Sequence, residues 1–179
     1  MRDFRWIALI AAMTLFGGDG QALSAQTTLV DPQEGAQAAE DVVRKLYDLV
    51  TFDAGTAPNW DEVRSLFIDE AVIVLRTSRV ASTVFSLEGF VNDFVTFIEQ
   101  ANVVETGFEE KILELEATTF HDMAQVWVLY QASITGSQRP PTIGVDNFSL
   151  VKQDGDWRIV SITNDLPTPE HPIPEVLRN

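Results

Sequence analysis

The sequence predicts an α+β fold in which three helices come before an antiparallel sheet. Two observations support this order: apolar residues recur at helical spacing as far as about residue 101, and they alternate as in strands from Val103 onward. A third is the pair Asp154-Gly155 between two alternating runs, which is typical of a tight hairpin turn. We therefore expect one domain whose sheet is closed by a C-terminal hairpin.

Residues 1–25 have the pattern of a secretory signal peptide. Arg2 and Arg5 precede an apolar run over residues 6–16, and small and polar residues follow as far as Ala25. The apolar run is shorter than the roughly 20 residues that a membrane-spanning helix requires. We therefore predict cleavage near Ala25, no stable membrane insertion afterwards, and a periplasmic or secreted product.

The charge of the chain excludes several classes of partner. Residues 1–25 hold two basic and two acidic residues, so 10 Lys and Arg and 25 Asp and Glu remain after cleavage, and the net charge stays −15. Such a surface repels phosphate backbones, so we expect no nucleic-acid partner. With no Cys, two dispersed His and no phosphate-binding loop, we expect no metal site and no cofactor.

The predicted helices follow a polar segment over residues 26–35. The first has an apolar face formed by Ala38, Ala39, Val42, Val43, Leu46, Tyr47 and Val50. Asn59 is a candidate N-cap for a short helix from Trp60 to Phe67, and Ala71 to Leu75 follows as a buried strand. Ser86 is a candidate N-cap for a third helix that ends near Ala101.

Four strands follow, over residues 105–119, 124–135, 143–152 and 157–165. Their short connections predict an antiparallel meander, with His121 exposed at the first hairpin tip. The domain is expected to span residues 36–166. Residues 167–179 contain four prolines, so this tail is expected to run over the surface without joining the sheet.

The order and spacing of these elements resemble the SnoaL-like members of the nuclear transport factor 2 (NTF2)-like superfamily. The matching segments are residues 60–67, 71–75, 85–90, 107–110, 124–130 and 155–160. The resemblance implies a cone-shaped fold with a curved antiparallel sheet, an apolar pocket between sheet and helices, and a homodimer formed through the outer sheet face. Relatives of this kind include ketosteroid isomerase, scytalone dehydratase, polyketide cyclases and proteins without catalysis, so no single function follows.

An enzyme of this type needs a base, a hydrogen-bond donor and apolar walls that shift the pKa values of both. Asp146 is the candidate base, because it shares one face of its strand with the apolar residues Phe148 and Leu150. Tyr47 and Tyr130 both lie on apolar faces, and either is a candidate donor. The alternative, which is the more common case, is that both are core tyrosines whose hydroxyls find a local hydrogen-bond partner.

Six further residues are candidates for ligand contact. Phe94, Trp127 and Phe148 would supply apolar wall, whereas Trp60 and Asn164 lie where elements end, near the expected cone mouth. Glu110 is expected to turn inward near a kink at Gly107. The later acids of the same strand, Glu114 and Glu116, are expected to face solvent.

Three functions are consistent with these residues. The first is the binding of a small apolar molecule without chemistry. The second is cofactor-free isomerase, cyclase or dehydratase activity with Asp146 as the base. The third is a dimeric interaction module whose exposed sheet and proline-rich tail dock a protein partner, and this hypothesis predicts a cone filled by its own side chains.

Overall fold

The structure is a computed structural model that describes residues 32–78 and 80–178. The signal peptide predicted at residues 1–25 lies outside the described residues. The helices are α1 (Pro32–Val50), α2 (Trp60–Arg64) and α3 (Leu87–Gln100). The strands are β1 (Phe52–Asp53), β2 (Phe67–Arg76), β3 (Ser82–Ser86), β4 (Gly107–Phe120), β5 (Met123–Ile134), β6 (Thr142–Gln153) and β7 (Asp156–Asp165). Short 3₁₀ helices cover Val103–Glu105 and Glu175–Leu177.

The caps predicted for the second and third helices are observed, and two helix boundaries are corrected. α2 ends at Arg64, and Phe67, predicted as its last residue, begins β2. The side-chain oxygen of Asn59 accepts a hydrogen bond from the Glu62 N–H at 3.3 Å and caps α2. Ser86 caps α3 in the same way. The first helix begins at Pro32, a residue type favoured in the first turn, so the boundary predicted after residue 35 was four residues late.

The seven strands form one sheet in the order β1-β4-β5-β6-β7-β2-β3. The β4–β7 meander is antiparallel, as predicted, and a left-handed Asp154 followed by Gly155 turns its last hairpin. The prediction of a wholly antiparallel sheet was wrong, because β2 pairs with β7 in parallel. This pairing joins strands about 80 residues apart, and no local sequence pattern encodes it.

The expected block of three helices before the sheet is also not observed. The strands β1, β2 and β3 lie between α1 and α3, and of these only β2 was predicted, at residues 71–75. β1 has only two residues, and β3 is mostly exposed at the sheet edge, so neither carries the apolar alternation by which strands are recognised.

The helices pack against one face of the sheet, which we call the inner face. The main core lies between α1 and this face and includes Val43, Val126, Val128, Phe148 and Ile159, all of which are fully or almost fully buried. Bulges in β4 and between β6 and β7 interrupt the register, and bulges bend and twist a sheet. The inner face is therefore the concave side on which a cavity can form.

The C-terminal tail crosses the opposite, outer face of the sheet. It leaves the end of β7, adds no strand, and its terminal 3₁₀ helix contacts β4 and β5. Leu177 anchors this helix, with only 2% of its surface exposed. Among the helices of the described segments, none has the length and apolarity needed to cross a membrane.

Candidate active site

A cavity of about 220 Å³ opens on the inner face between α1, α3 and the sheet. Its apolar walls are Leu46, Val50, Leu75, Phe90, Phe94, Phe148 and Ile162. Its polar lining consists of Tyr47, Arg76, Glu110, Tyr130, Asp146 and Asn164. Two carboxyl groups and two phenols therefore share one small and largely apolar space.

Asp146 is held in this cavity by two hydrogen bonds. The Tyr47 hydroxyl donates to its Oδ2 at 2.5 Å, and the Asn164 Nδ2 donates to its Oδ1 at 2.8 Å. Burial raises the pKa of Asp146 to about 6, and the hydrogen bonds from Tyr47 and Asn164 oppose that rise in pKa. The side chain is thus a fixed carboxylate at neutral pH, and it protonates about two pH units above an ordinary Asp.

Asn164 organises the polar side of the cavity. It lies opposite Asp146 in the β6–β7 ladder and is only 8% exposed. Its Nδ2 also donates to the Tyr130 hydroxyl oxygen at 3.0 Å, and its Oδ1 accepts from the Arg76 backbone N–H at 3.3 Å. The Arg76 N–H can only donate, which fixes the orientation of the Asn164 amide. Both amide protons are therefore committed to Asp146 and Tyr130, so Asn164 positions these groups.

The hydrogen bonds also distinguish the two tyrosines that the sequence left as alternatives. The hydroxyl proton of Tyr47 is already donated to Asp146. Tyr130 instead accepts from Asn164, so its own proton remains available to a ligand. Burial raises the pKa of both phenols, which are neutral at neutral pH. Tyr130 is therefore the tyrosine equipped to donate.

Gly144 makes room for Tyr130, and sequence reasoning missed it. The two residues are directly opposite each other in the β5–β6 ladder. A Cβ atom at Gly144 would overlap the Tyr130 ring and hydroxyl. The available signal was a glycine on the same strand face as Asp146 and Phe148, since glycine inside a strand often marks the close approach of another group.

Glu110 lies on the inner face, as expected, although Gly107 is not the reason. One extra residue, Leu113, sits between Ile112 and Glu114 in the β4–β5 register. This bulge reverses the alternation, so Glu110 points inward while Glu114 and Glu116 pair with outward positions of β5.

The surroundings of Glu110 keep its carboxyl group protonated at neutral pH. Burial and, secondarily, the negative charge of Asp146 raise the pKa of Glu110 to about 8. Thr51 fixes the backbone of this residue, accepting from the Glu110 N–H at 2.9 Å and donating to its carbonyl at 3.1 Å. The carboxyl group itself forms no hydrogen bond with any other described residue. It is a neutral donor that faces the cavity.

The remaining candidates differ in their placement. Phe94 and Phe148 form part of the cavity wall. Trp60 does not line it but packs against Phe94, with ring centroids 5.5 Å apart. Trp127 is on the outer face, because Val126 and Val128 occupy the inward positions on either side of it, and it cannot contact a ligand in the cone. His121 is exposed at the hairpin tip.

Within residues 32–78 and 80–178, no group of three or more acidic or histidine side chains is arranged to hold a metal ion.

Solved structures with the same architecture identify the fold. An NTF2-like protein with a cystatin-like fold from Novosphingobium aromaticivorans aligns with a TM-score of 0.61 at 14% identity, covering 87% of this chain and 96% of that one. A candidate aromatic ring hydroxylase from that organism aligns with a TM-score of 0.58 at 19% identity, covering 78% of this chain and 93% of that one. A candidate scytalone dehydratase from the same organism aligns with a TM-score of 0.56 at 13% identity, covering 74% of this chain and 83% of that one.

These likenesses confirm the NTF2-like fold that the sequence predicts. The sheet that defines it is mixed and curved, with few helices. No protein-family model and no curated protein matches the chain. At identities below 20%, the three neighbours establish the fold but not the activity, which must be argued from the residues of the site.

Proposed function

We propose that this chain binds a small, largely apolar molecule in the cone cavity and moves a proton on it by acid–base catalysis without a cofactor. The observation that carries the proposal is one cavity holding a fixed carboxylate, Asp146, beside two neutral donors with uncommitted protons, Tyr130 and Glu110. Isomerisation, cyclisation and dehydration are the reaction classes that need such a set.

The roles follow from the protonation states. Asp146 accepts a proton from an acidic C–H, while Tyr130 and Glu110 donate hydrogen bonds to the substrate oxygen that gains negative charge. A carboxylic acid kept neutral by its surroundings is an effective donor of this kind. Because Asp146 must be ionised and Glu110 protonated, activity should peak between their pKa values of about 6 and about 8.

The size of the cavity limits the substrate. At about 220 Å³, it lies below the range of roughly 300–1,000 Å³ that is typical of pockets for drug-sized ligands. A neutral compound of about one ring, with a carbonyl or hydroxyl oxygen, suits this volume and the aromatic walls. The candidate ring hydroxylase and scytalone dehydratase among the solved structures support beginning with ring compounds.

Binding without chemistry is the second candidate function. The short hydrogen bond from Tyr47 favours this alternative, because stabilising the Asp146 carboxylate also weakens it as a base. The third hypothesis, an interaction module with a filled cone, has less support, because an open apolar cavity counts against it.

The test is hydrogen–deuterium exchange, followed by NMR in D₂O, on a panel of small cyclic ketones and hydroxyketones incubated with the full chain. We expect exchange at the carbon beside the carbonyl with the wild-type protein and its loss in Asp146→Asn. Ligand-induced chemical shifts in the protein without exchange in any compound would favour binding alone. Exchange that persists in Asp146→Asn would refute Asp146 as the base.

A further inference from the structure

A second and larger cavity, of about 990 Å³, lies on the outer face between the sheet and the proline-rich tail. We call it the outer groove. Its floor is formed by outward residues of β5, β6 and β7, and its opposite wall is the tail from Leu166 to Pro174. Most of this floor lies on the opposite side of the sheet from the cone cavity, since successive strand residues point to opposite faces, although Arg76 and Asn164 line both cavities.

The tail is fixed at both ends of the groove. At its start, the Leu166 N–H donates to the Asp165 Oδ1 at 2.7 Å, and at its end Leu177 is buried beside β4 and β5. Between these points, Thr168 and His171 exchange two backbone hydrogen bonds, of 2.9 and 3.1 Å. Four prolines in residues 167–174 stiffen this bridge and cannot donate to the sheet. The tail therefore spans the groove and does not collapse onto the floor.

The floor of the groove is a single row of side chains. Trp127 pairs with Asn147, and Asn147 pairs with Thr163, so the three stand side by side on neighbouring strands. Trp127 is 38% exposed, so the tail does not cover it completely. The side chains of Asn147 and Thr163 form no hydrogen bond with other described residues. The row thus presents one indole face beside two unpartnered neutral polar groups.

The charges around the groove disfavour an anionic ligand. On the sheet side of the groove, the Arg76 guanidinium is already paired with Asp165, to which it donates two hydrogen bonds of 2.9 and 2.6 Å. The chain as a whole carries a net charge of −15, which repels anions. An uncharged molecule meets no such repulsion.

We propose that the outer groove is a second binding site, which takes an uncharged, planar, mainly apolar small molecule. The ring stacks on Trp127, and a polar substituent reaches Asn147 and Thr163. A second copy of the chain is a poor occupant of the same floor, because the anchored tail stands over it.

The test uses Nile red, a neutral planar dye, titrated into the full chain and followed by fluorescence. We expect Trp127→Ala to weaken binding at least tenfold and Trp127→Phe, which keeps a ring, to weaken it less. Met123→Ala is the matched control, because Met123 is exposed on the same face of β5 but outside the groove, and binding should be unchanged.

Two results would overturn the proposal. Equal binding by wild type and Trp127→Ala would place the dye elsewhere. Native mass spectrometry that finds a wild-type dimer, dissociated by Trp127→Ala, would assign this face to a second copy. Circular dichroism of each variant shows whether it folds, and Trp127→Phe supplies the comparison if Trp127→Ala does not.

Discussion

Two aspartates at the same end of the sheet have opposite fates. Asp146 on β6 points into the cone, where burial raises its pKa to about 6. Asp165 on β7 points outward, where the hydrogen bonds from Arg76 hold its pKa below the usual value. Their strands are paired, so one step of strand alternation separates a half-buried carboxylate without a cationic partner from an exposed ion pair.

The comparison shows that the face of the sheet, and not the residue type, decides what a carboxylate does. Burial of Asp146 opposes folding as the pH rises through its pKa, because the folded chain holds the proton more tightly than the unfolded chain does. Asp165 has the opposite linkage. Its contribution to stability is present above its unfolded pKa and is lost as the pH falls. The inner face therefore carries the carboxyl groups with raised pKa values, and the outer face carries the ion pair.

The largest expected effect is on activity. Asp146→Asn removes the base but keeps a side chain of the same shape. The rate of hydrogen–deuterium exchange on a ketone that the wild-type protein acts on should therefore fall by about 10²–10⁴-fold. Ligand affinity, measured by NMR titration, should change far less. Asp156→Asn, at the exposed start of β7, is the matched control and should retain full exchange. An equal loss in both variants would place the effect in folding.

The second expected effect concerns stability at alkaline pH. Glu110 has a pKa raised from 4.5 to about 8, so the folded state should lose stability between these values and bear the full penalty above pH 8. A shift of this size corresponds to something on the order of 5 kcal/mol. Glu110→Gln should therefore be the more stable protein at pH 9 and nearly equal to wild type at pH 4.

Urea unfolding at both pH values measures this difference. Glu116→Gln, on the outward side of the same strand, is the control and should show no comparable gain at pH 9. A gain of equal size in both variants would mean that the overall charge of the chain, and not the cone, is responsible.

The third expected effect is on the geometry of the donor. Gly144→Ala places a methyl group where the Tyr130 ring lies, so the ring must move away from Asn164. Overpacking of this kind costs about 1–3 kcal/mol of stability. We expect a lower melting temperature and slower exchange. In a Tyr130→Ala background, which has no ring to displace, Gly144→Ala should lower the melting temperature much less. An equal loss in both backgrounds would show that Tyr130 is not the group displaced.

The smallest expected effect is on the outer ion pair. Asp165→Asn removes the partner of Arg76 at a site open to solvent, so thermal stability at pH 7 should fall only slightly. The difference from wild type should shrink as the pH falls toward the lowered pKa of Asp165, where the carboxylate becomes protonated. Melting curves between pH 3 and pH 7 provide the measurement, and a difference that grows in acid would contradict the assigned linkage.

Much of the fold could be predicted from near-neighbour patterns. The caps at Asn59 and Ser86, the β4–β7 meander and the Asp154-Gly155 turn all depend on residues a few positions apart. The parallel β2–β7 pairing was missed because its partners are distant in sequence and β2 has no local mark of its neighbour.

The candidate site was predictable only in part. Asp146 and Tyr130 follow the alternation of unbroken strand segments, so they lie on the inner face as expected. The orientation of Glu110 depends on the bulge at Leu113, and no residue of β4 predicts a bulge at that position. The role of Gly144 required knowing which side chain stands opposite it.

The sequence by itself determined the helices, the hairpins, the acidic surface and the alternation that turns Asp146 inward, because these depend on local periodicity and composition. Only the tertiary structure decided which proton each tyrosine can give, that Glu110 and Asp146 share one cavity, and that a stiff tail leaves a groove above Trp127. These properties arise from exclusion of solvent and from hydrogen bonds between residues far apart in the chain, as between Tyr47 and Asp146.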